Sequence, residues 1–198
     1  MKKTLTLLMT LTAATAVTLA APEVGKPAPD FTAKDINGKT QKLSDYKGKI
    51  VVIESYNLDC PFCANHFKKG TMQDLQAMVT DKGGVWLIVN SVNANHKSYR
   101  KPEAAKKEWD EQKMKATAWI DDSSGEVGKL YGMKTTPQMY VIDAEGILVY
   151  EGAIDDKASS SHDPAKARNY VKEAVASLQA GKPVEVTQTK SYGCSVKY

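Results

Sequence analysis

The run Ile50-Val51-Val52-Ile53 constrains the fold more than any other feature of the chain. Four β-branched residues in succession, with no polar residue between them, describe a strand buried on both faces. Such a strand needs a covering layer above and below, and the flanking sequence supplies both. Pro61 to about Val79 suits an amphipathic helix, with Pro61 in its first turn and apolar residues at Phe67, Leu75, Met78 and Val79. Val85 to Val89 reads as a second buried strand. The pattern then predicts a charged helix from Pro102 to Lys115, a short strand at Ala118 to Ile120 and a short helix at Glu126 to Tyr131. A hairpin of Gln138 to Ile142 with Ile147 to Tyr150 follows, and a last helix opened by Asp163-Pro164 that stops at Gly181. Upstream, Asp30 to Ile36 and Thr40 to Leu43 flank Asn37-Gly38, a pair that favours tight hairpin turns. Strands alternating with helices predict an α/β domain, a mixed sheet with helices on both faces and an N-terminal hairpin extension. The length of 198 residues, 42% hydrophobic and 25% charged, fits one domain and excludes disordered, collagen-like and coiled-coil chains.

The first residues read as a targeting signal. Lys2 and Lys3 precede an apolar run from Leu5 to Leu19, and small residues follow at Ala20 and Ala21, the order of a secretory signal peptide. The run is shorter than the roughly 20 residues that span a bilayer. The expected organisation is therefore a signal over 1–21, a folded domain over 22–182 and a short polar tail over 183–198 that carries Cys194. The mature protein is expected to be exported, to a bacterial periplasm or beyond, and not inserted in the membrane. Lys2 and Lys3 supply two of the +4 formal charges. The remaining bias is too slight to argue for nucleic acid or an anionic membrane surface as partner.

Three cysteines, Cys60, Cys63 and Cys194, are an odd number in a chain large enough to build a core without staples, so a disulfide scaffold is a poor reading. Two of them form Cys60-Pro61-Phe62-Cys63, just beyond the first buried strand and at the expected start of a helix. Zinc would need two further ligands from Cys194, His66, His96 and His162, and these lack any compact spacing. No metal or organic cofactor is implied.

From about Val24 to Gly181 the chain resembles the thioredoxin superfamily, in particular its exported redoxin branch related to the AhpC/TSA family. Three motifs carry the resemblance: Gly25-Lys26-Pro27-Ala28-Pro29-Asp30-Phe31 followed by Leu43-Ser44-Asp45-Tyr46-Lys47-Gly48-Lys49; the buried strand leading into Cys60-Pro61-Phe62-Cys63; and Thr135-Thr136-Pro137-Gln138-Met139-Tyr140-Val141-Ile142-Asp143. The resemblance implies a thiol–disulfide oxidoreductase with a redox-active Cys60–Cys63 disulfide. An exposed Cys60, its thiolate favoured by the helix N-terminus, would attack, and a shielded Cys63 would resolve the mixed disulfide. Pro61 and Phe62 would tune the pair and meet the substrate. Glu54, six residues before Cys60, would be a buried acid that exchanges a proton with Cys63. Thr136-Pro137 would form a cis peptide opposite the disulfide and offer the Thr136 backbone to an extended partner. Asp59, where a tryptophan is usual, is expected to oppose ionisation of Cys60.

Two residues are candidate accessories. His66 lies six after Cys60 and reads first as a helix-core or surface histidine, acting as a base only if it is near the thiol. Cys194, in Tyr192-Gly193-Cys194-Ser195-Val196-Lys197-Tyr198, would serve as a third, resolving thiol, bridge two chains, or lie free. The implied partners are protein or small-molecule thiols and disulfides, with a membrane-bound electron donor as one source of electrons, acting on a monomer or weak dimer. Two other functions compete. A peroxiredoxin-like thiol peroxidase using Cys60 would want Thr or Ser three residues before the cysteine and a proline upstream, where Asn57 and Ile53 stand. A non-catalytic binding module would keep the cysteine pair as a structural clip. The Lys-rich segment from Lys97 to Lys107 reads as a solvated helix face.

Overall fold

The computed structural model describes residues 21–198; the signal-peptide reading falls almost entirely outside them. Five strands form the central sheet: β3 (Val51–Ser55), β4 (Val85–Asn90), β5 (Ala118–Asp121), β7 (Gln138–Ile142) and β8 (Leu148–Gly152), in the order β5-β4-β3-β7-β8. The pairs β3–β4 and β4–β5 are parallel, while β3–β7 and β7–β8 are antiparallel. Val51, Val52 and Ile53 of the β-branched run lie in the middle strand, β3, and all five residues of that strand are buried. A separate hairpin of β1 (Thr32–Lys34) and β2 (Thr40–Lys42) lies against the β5 edge through an Asp35–Ile120 bridge. Its turn is tied by Asp35 Oδ1, which accepts from the backbone amides of Asn37 and Lys39.

Strand alternation sorts the core into two layers. Val52, Trp86, Ile88, Met139 and Val141 face one side, packed under α1 (Pro61–Lys68), α2 (Thr71–Thr80) and α5 (Tyr170–Gln179) through Phe67, Met72, Leu75, Val79, Val171 and Val175. Val51, Ile53, Leu87, Val89 and Ile120 face the other side, covered by α4 (Glu126–Leu130) with Tyr131, Phe31 and Leu43. Because Glu54 is two residues after Val52, the period of the strand turns it toward the α1 side.

The helices depart from the sequence reading in three places. The stretch from Pro61 to Val79 is two helices, because Gly70 stands at φ 79°, a left-handed conformation that ends one helix and starts the next. The helix α3 (Pro102–Glu111) stops before Lys115, with Lys113 at φ 51° just beyond it. Asp163 caps only a single 3-10 turn at Pro164–Lys166; the chain then extends, and Asn169 caps α5 by accepting from the Lys172 amide.

The largest correction concerns the tail, which is an integral part of the fold. Glu151 of β8 exchanges backbone hydrogen bonds with Thr187 and Thr189 at 3.1 Å each, and the Thr189 hydroxyl accepts from the Ala153 amide at 2.9 Å. Further on, Cys194–Ser195 forms β9, which pairs antiparallel with β6 (Thr135–Thr136), Thr136 opposite Cys194. The Val196 amide donates to the Lys134 carbonyl, the Asn93 amide to the Lys197 carbonyl and the Tyr198 hydroxyl to the Met133 carbonyl. No helix among the described residues is long and apolar enough to cross a membrane.

Candidate active site

Beyond β3, the Asn57 carbonyl accepts from the Cys60 amide at 3.0 Å and holds Cys60 in extended conformation as the N-cap of α1. Pro61 follows at the first helical position and is exposed; Phe62 is half-buried. Cys63 sits one turn into the helix, facing the core, with no exposed surface. All three cysteines are free thiols.

The two thiols of the pair have opposite acidities. A hydrogen bond from the Cys63 thiol is the main force pulling Cys60 down to about 4 from an ordinary 9. Burial opposes that pull, while Cys194, Thr136 and the Cys63 backbone amide at the head of α1 add to it. Burial, and donation to the neighbouring Cys60, push Cys63 well above the usual thiol range. When protonated, Cys60 Sγ donates to the Thr136 carbonyl at 2.9 Å, a contact that favours the thiol, whereas the donors around it favour the thiolate.

Glu54 lies beneath the pair with no exposed surface. Burial lifts its carboxyl to about 8, against the hydrogen bond donated by Trp86 Nε1 to Oε2 at 2.8 Å and a further pull from Gln76. Its other oxygen, Oε1, has no hydrogen-bond partner among the described residues, and its charge acts on Cys63. The peptide Thr136-Pro137 is cis, as the motif implied, with Thr136 buried beside Cys60.

Two expectations are overturned. Cys60 was expected to be exposed; it is 1% exposed, because β9 lies over it and the Cys194 amide donates to its sulfur at 3.4 Å. Asp59 was expected to hold back ionisation of Cys60. Instead its carboxylate is bound to Arg100 Nη2 at 2.6 Å, which outweighs partial burial and keeps its pKa below the ordinary value. Arg100 also reaches Glu108 Oε2 at 2.9 Å through Nε, and Glu108 Oε1 accepts from the Tyr56 hydroxyl at 2.6 Å. The Lys97–Lys107 stretch is therefore only partly a solvated face: Arg100 is drawn into this network, and Lys97 lines a cavity of about 550 Å³ with Asn57, Cys60, His96, Cys194 and Lys197.

His66 is buried and does not face Cys60 among its bonded partners. Its Nε2 lies 3.3 Å from the Tyr192 hydroxyl and 3.8 Å from Asp155, and burial lowers its pKa to about 4. Asp155 in turn accepts from Tyr192 and lies 2.8 Å from His162 Nε2. His66, Asp155 and His162 place one ligand atom each within 4.8 Å of one another, the closest approach to a metal-ligand set among the described residues, yet those atoms already bond each other and Tyr192. Arg100, Tyr192, Asp155 and Trp86 had no signature in the sequence: each joins the site through a partner, Asp59, His66, Tyr192 and Glu54, that lies 41, 126, 37 and 32 residues away along the chain.

The model of the AhpC/TSA family matches residues 24–151. The chain belongs to the AhpC/TSA family. It is an oxidoreductase of thioredoxin-like fold. Thiol-disulfide oxidoreductase ResA of Bacillus thuringiensis subsp. konkukian (strain 97-27) is 29% identical over 129 residues, covering 65% of this chain and 69% of the relative. Peroxiredoxin 2 of Caldanaerobacter subterraneus subsp. tengcongensis is 33% identical over 143 residues, covering 69% of this chain and 58% of the relative. Among solved structures, an uncharacterized conserved protein from Geobacillus kaustophilus superposes with a TM-score of 0.76 at 27% identity, covering 89% of this chain and 92% of that one.

Proposed function

We propose that the protein is an exported thiol–disulfide oxidoreductase that exchanges disulfides with protein or small-molecule thiols through Cys60 and Cys63. The observation that carries this reading is the placement of the pair, Cys60 as the N-cap of α1 and 2.9 Å from the carbonyl of the cis Thr136-Pro137 peptide, with Cys63 and the acid Glu54 fully buried. In that setting the Cys60 pKa is lowered to about 4, that of Cys63 is raised and that of Glu54 is lifted to about 8. At neutral pH Cys60 is then a thiolate. It attacks a substrate disulfide, forming a Cys60–substrate bond and releasing the first substrate sulfur as a thiolate. Cys63 is a poor nucleophile while protonated. Glu54, ionised in part near neutral pH, takes the Cys63 proton as Cys63 attacks Cys60 Sγ, and the second substrate sulfur leaves. The products are a Cys60–Cys63 disulfide and a reduced substrate; run backwards, the same steps oxidise a dithiol. Pro61, Phe62, Thr136 and Pro137 border the attacking sulfur and would contact the substrate. The leader-like first residues support an extracytoplasmic site of action.

The likeness to a peroxiredoxin favours a second reading, in which Cys60 reduces a peroxide to an alcohol or water and is itself oxidised to a sulfenic acid that Cys63 condenses to a disulfide.

One experiment tests the first reading: the reduction potential of the Cys60–Cys63 pair, by thiol trapping in glutathione and dithiothreitol buffers. A value of about −120 to −180 mV marks an oxidant or isomerase, and about −270 mV a reductant. A pair that stays oxidised below about −300 mV is a structural clip, and the oxidoreductase mechanism falls. Peroxide consumption coupled to Cys60–Cys63 oxidation, measured on the same protein, tests the second.

A further inference from the structure

Strand β9 occupies the edge of Thr136, the backbone position that an extended substrate would be expected to use. The occupant is not generic chain. It presents a cysteine opposite Thr136, with the Cys194 amide 3.4 Å from Cys60 Sγ and the Cys194 side chain among the groups that lower the Cys60 pKa. Its approach is built to fit. Gly193 stands at φ 130°, and a Cβ there would lie 2.0 Å from the Thr136 carbonyl oxygen, so only glycine lets the tail come this close. On one side Tyr192 packs against Phe62 with ring centroids 5.8 Å apart and donates its hydroxyl to Asp155. On the other, Val196 and Tyr198 are bonded to the backbone of Lys134 and Met133. Anchors on both sides and a close passage at Gly193 hold one particular residue, Cys194, against the attacking sulfur.

We propose that Cys194 is a third redox thiol, held by β9 as a built-in substrate mimic, which takes the disulfide over from Cys63. This deepens the thiol–disulfide mechanism above and rests on it. In the step, the Cys194 thiolate attacks Cys60 Sγ of the Cys60–Cys63 disulfide. A Cys60–Cys194 bond forms, the Cys60–Cys63 bond breaks, and Cys63 leaves as a thiolate that takes up the proton Cys194 gave up. No electrons enter or leave, so the protein moves between two oxidised isomers. The step is timed by the state of Cys60. While Cys60 is a thiolate, burial first, and then donation to and the charge of Cys60, raise the Cys194 thiol to about 11 and keep it inert. Once Cys60 is in a disulfide the last two influences vanish; burial, the largest, stays, and Cys194 ionises more readily than before. In the oxidised isomer that results, the attacking Cys60 is held in a disulfide with the tail and Cys63 is again a buried thiol. The tail and an extended partner compete for the same strand edge, so reduction of a protein client requires β9 to lift away.

The test uses the full chain and glutathione disulfide as the oxidant. Wild-type protein, quenched in acid and peptide-mapped by mass spectrometry, is expected to contain both Cys60–Cys63 and Cys60–Cys194 disulfides. With Cys63→Ser, Cys60 first takes up glutathione, and Cys194 then displaces it, giving an intramolecular Cys60–Cys194 disulfide as the main product. Adding Gly193→Ala to that variant pushes β9 off Thr136 while leaving every thiol in place. It is expected to slow cross-linking by about a hundredfold, the scale on which misplacing a reacting group acts. The proposal is overturned if the Cys63→Ser protein stops at a stable Cys60–glutathione adduct with Cys194 still alkylated by iodoacetamide, if Cys194 joins two chains instead, or if Gly193→Ala cross-links as fast as its parent. In each of those cases a Cys60–Cys63 disulfide in the wild type leaves the thiol–disulfide reading intact. If the wild type forms neither a Cys60–Cys63 nor a Cys60–Cys194 disulfide, it is that reading which fails.

Discussion

Replacing Glu54 by Gln isolates the most unusual ionisation in the fold. The carboxyl has no exposed surface and is lifted by burial from 4.5 to about 8. The folded protein therefore binds a proton that the unfolded chain has released across that interval. Stability due to this group is complete below the unfolded pKa and is lost as pH rises through the folded one. At about 1.36 kcal/mol per unit, the penalty in the wild type is about 1 kcal/mol at pH 5 and about 4 kcal/mol at pH 8. Gln keeps the shape, can still accept from Trp86 and cannot ionise. Its stability relative to wild type should thus grow by about 3 kcal/mol between pH 5 and pH 8. The assay is urea unfolding of both proteins at the two pH values. Taking the difference between them matters, because the lowered pKa of Cys60 gives the reduced protein an opposite pH slope that is common to both. The same replacement removes the base that accepts the Cys63 proton, and should slow release of the Cys60 mixed disulfide by about a hundredfold or more. A stability difference that does not change with pH would refute the buried-acid argument and, with it, the proton transfer assigned to Glu54.

Other consequences can be checked separately. With Cys60 ionised and Cys63 protonated, reduction of the pair takes up two electrons and one proton between pH 5 and pH 7, so its potential should fall by about 30 mV per pH unit; about 59 mV per unit would mean that both sulfurs are protonated. The Cys60 thiolate contributes stability to the reduced form that is fully present only above the unfolded thiol pKa and fades as pH falls toward about 4. Thermal unfolding of the reduced protein should accordingly lose ground to the oxidised form as the buffer is made more acidic. Arg100→Ala leaves Asp59 uncompensated beside the thiol and strips Glu108 of a partner. The Cys60 titration, followed by thiolate ultraviolet absorbance, should move upward, and urea unfolding should show a loss of about 1–3 kcal/mol, mostly from the half-satisfied Glu108. Phe67→Ala empties a site 3% exposed, where the ring packs edge-on to Tyr56 at 5.3 Å, and should cost about 3–5 kcal/mol in the same assay.

What the amino-acid sequence determined by itself was the set of features carried by neighbours in the chain. The central strand followed from an unbroken β-branched run, the N-cap position of Cys60 from the proline after it, the hairpin turn from Asn37-Gly38, and the Thr136-Pro137 loop from its motif. Glu54 was legible only through the family resemblance, which places a buried acid six residues before the first cysteine; the structure then buries it completely. The break at Gly70 shows the limit of such reasoning: apolar spacing continued across it, and a single left-handed glycine decided otherwise. Only the tertiary structure decided the environment of the attacking sulfur. Asp59, read alone as a charge opposing the thiolate, is neutralised by an arginine 41 residues away. His66, six residues from Cys60, is turned to Tyr192 and Asp155. Cys194, 134 residues from Cys60, is brought to it by strand pairing. These outcomes depend on closing long loops, and closure is set by the summed packing of the sheet, the helices and the tail, a quantity that no local pattern of residues contains.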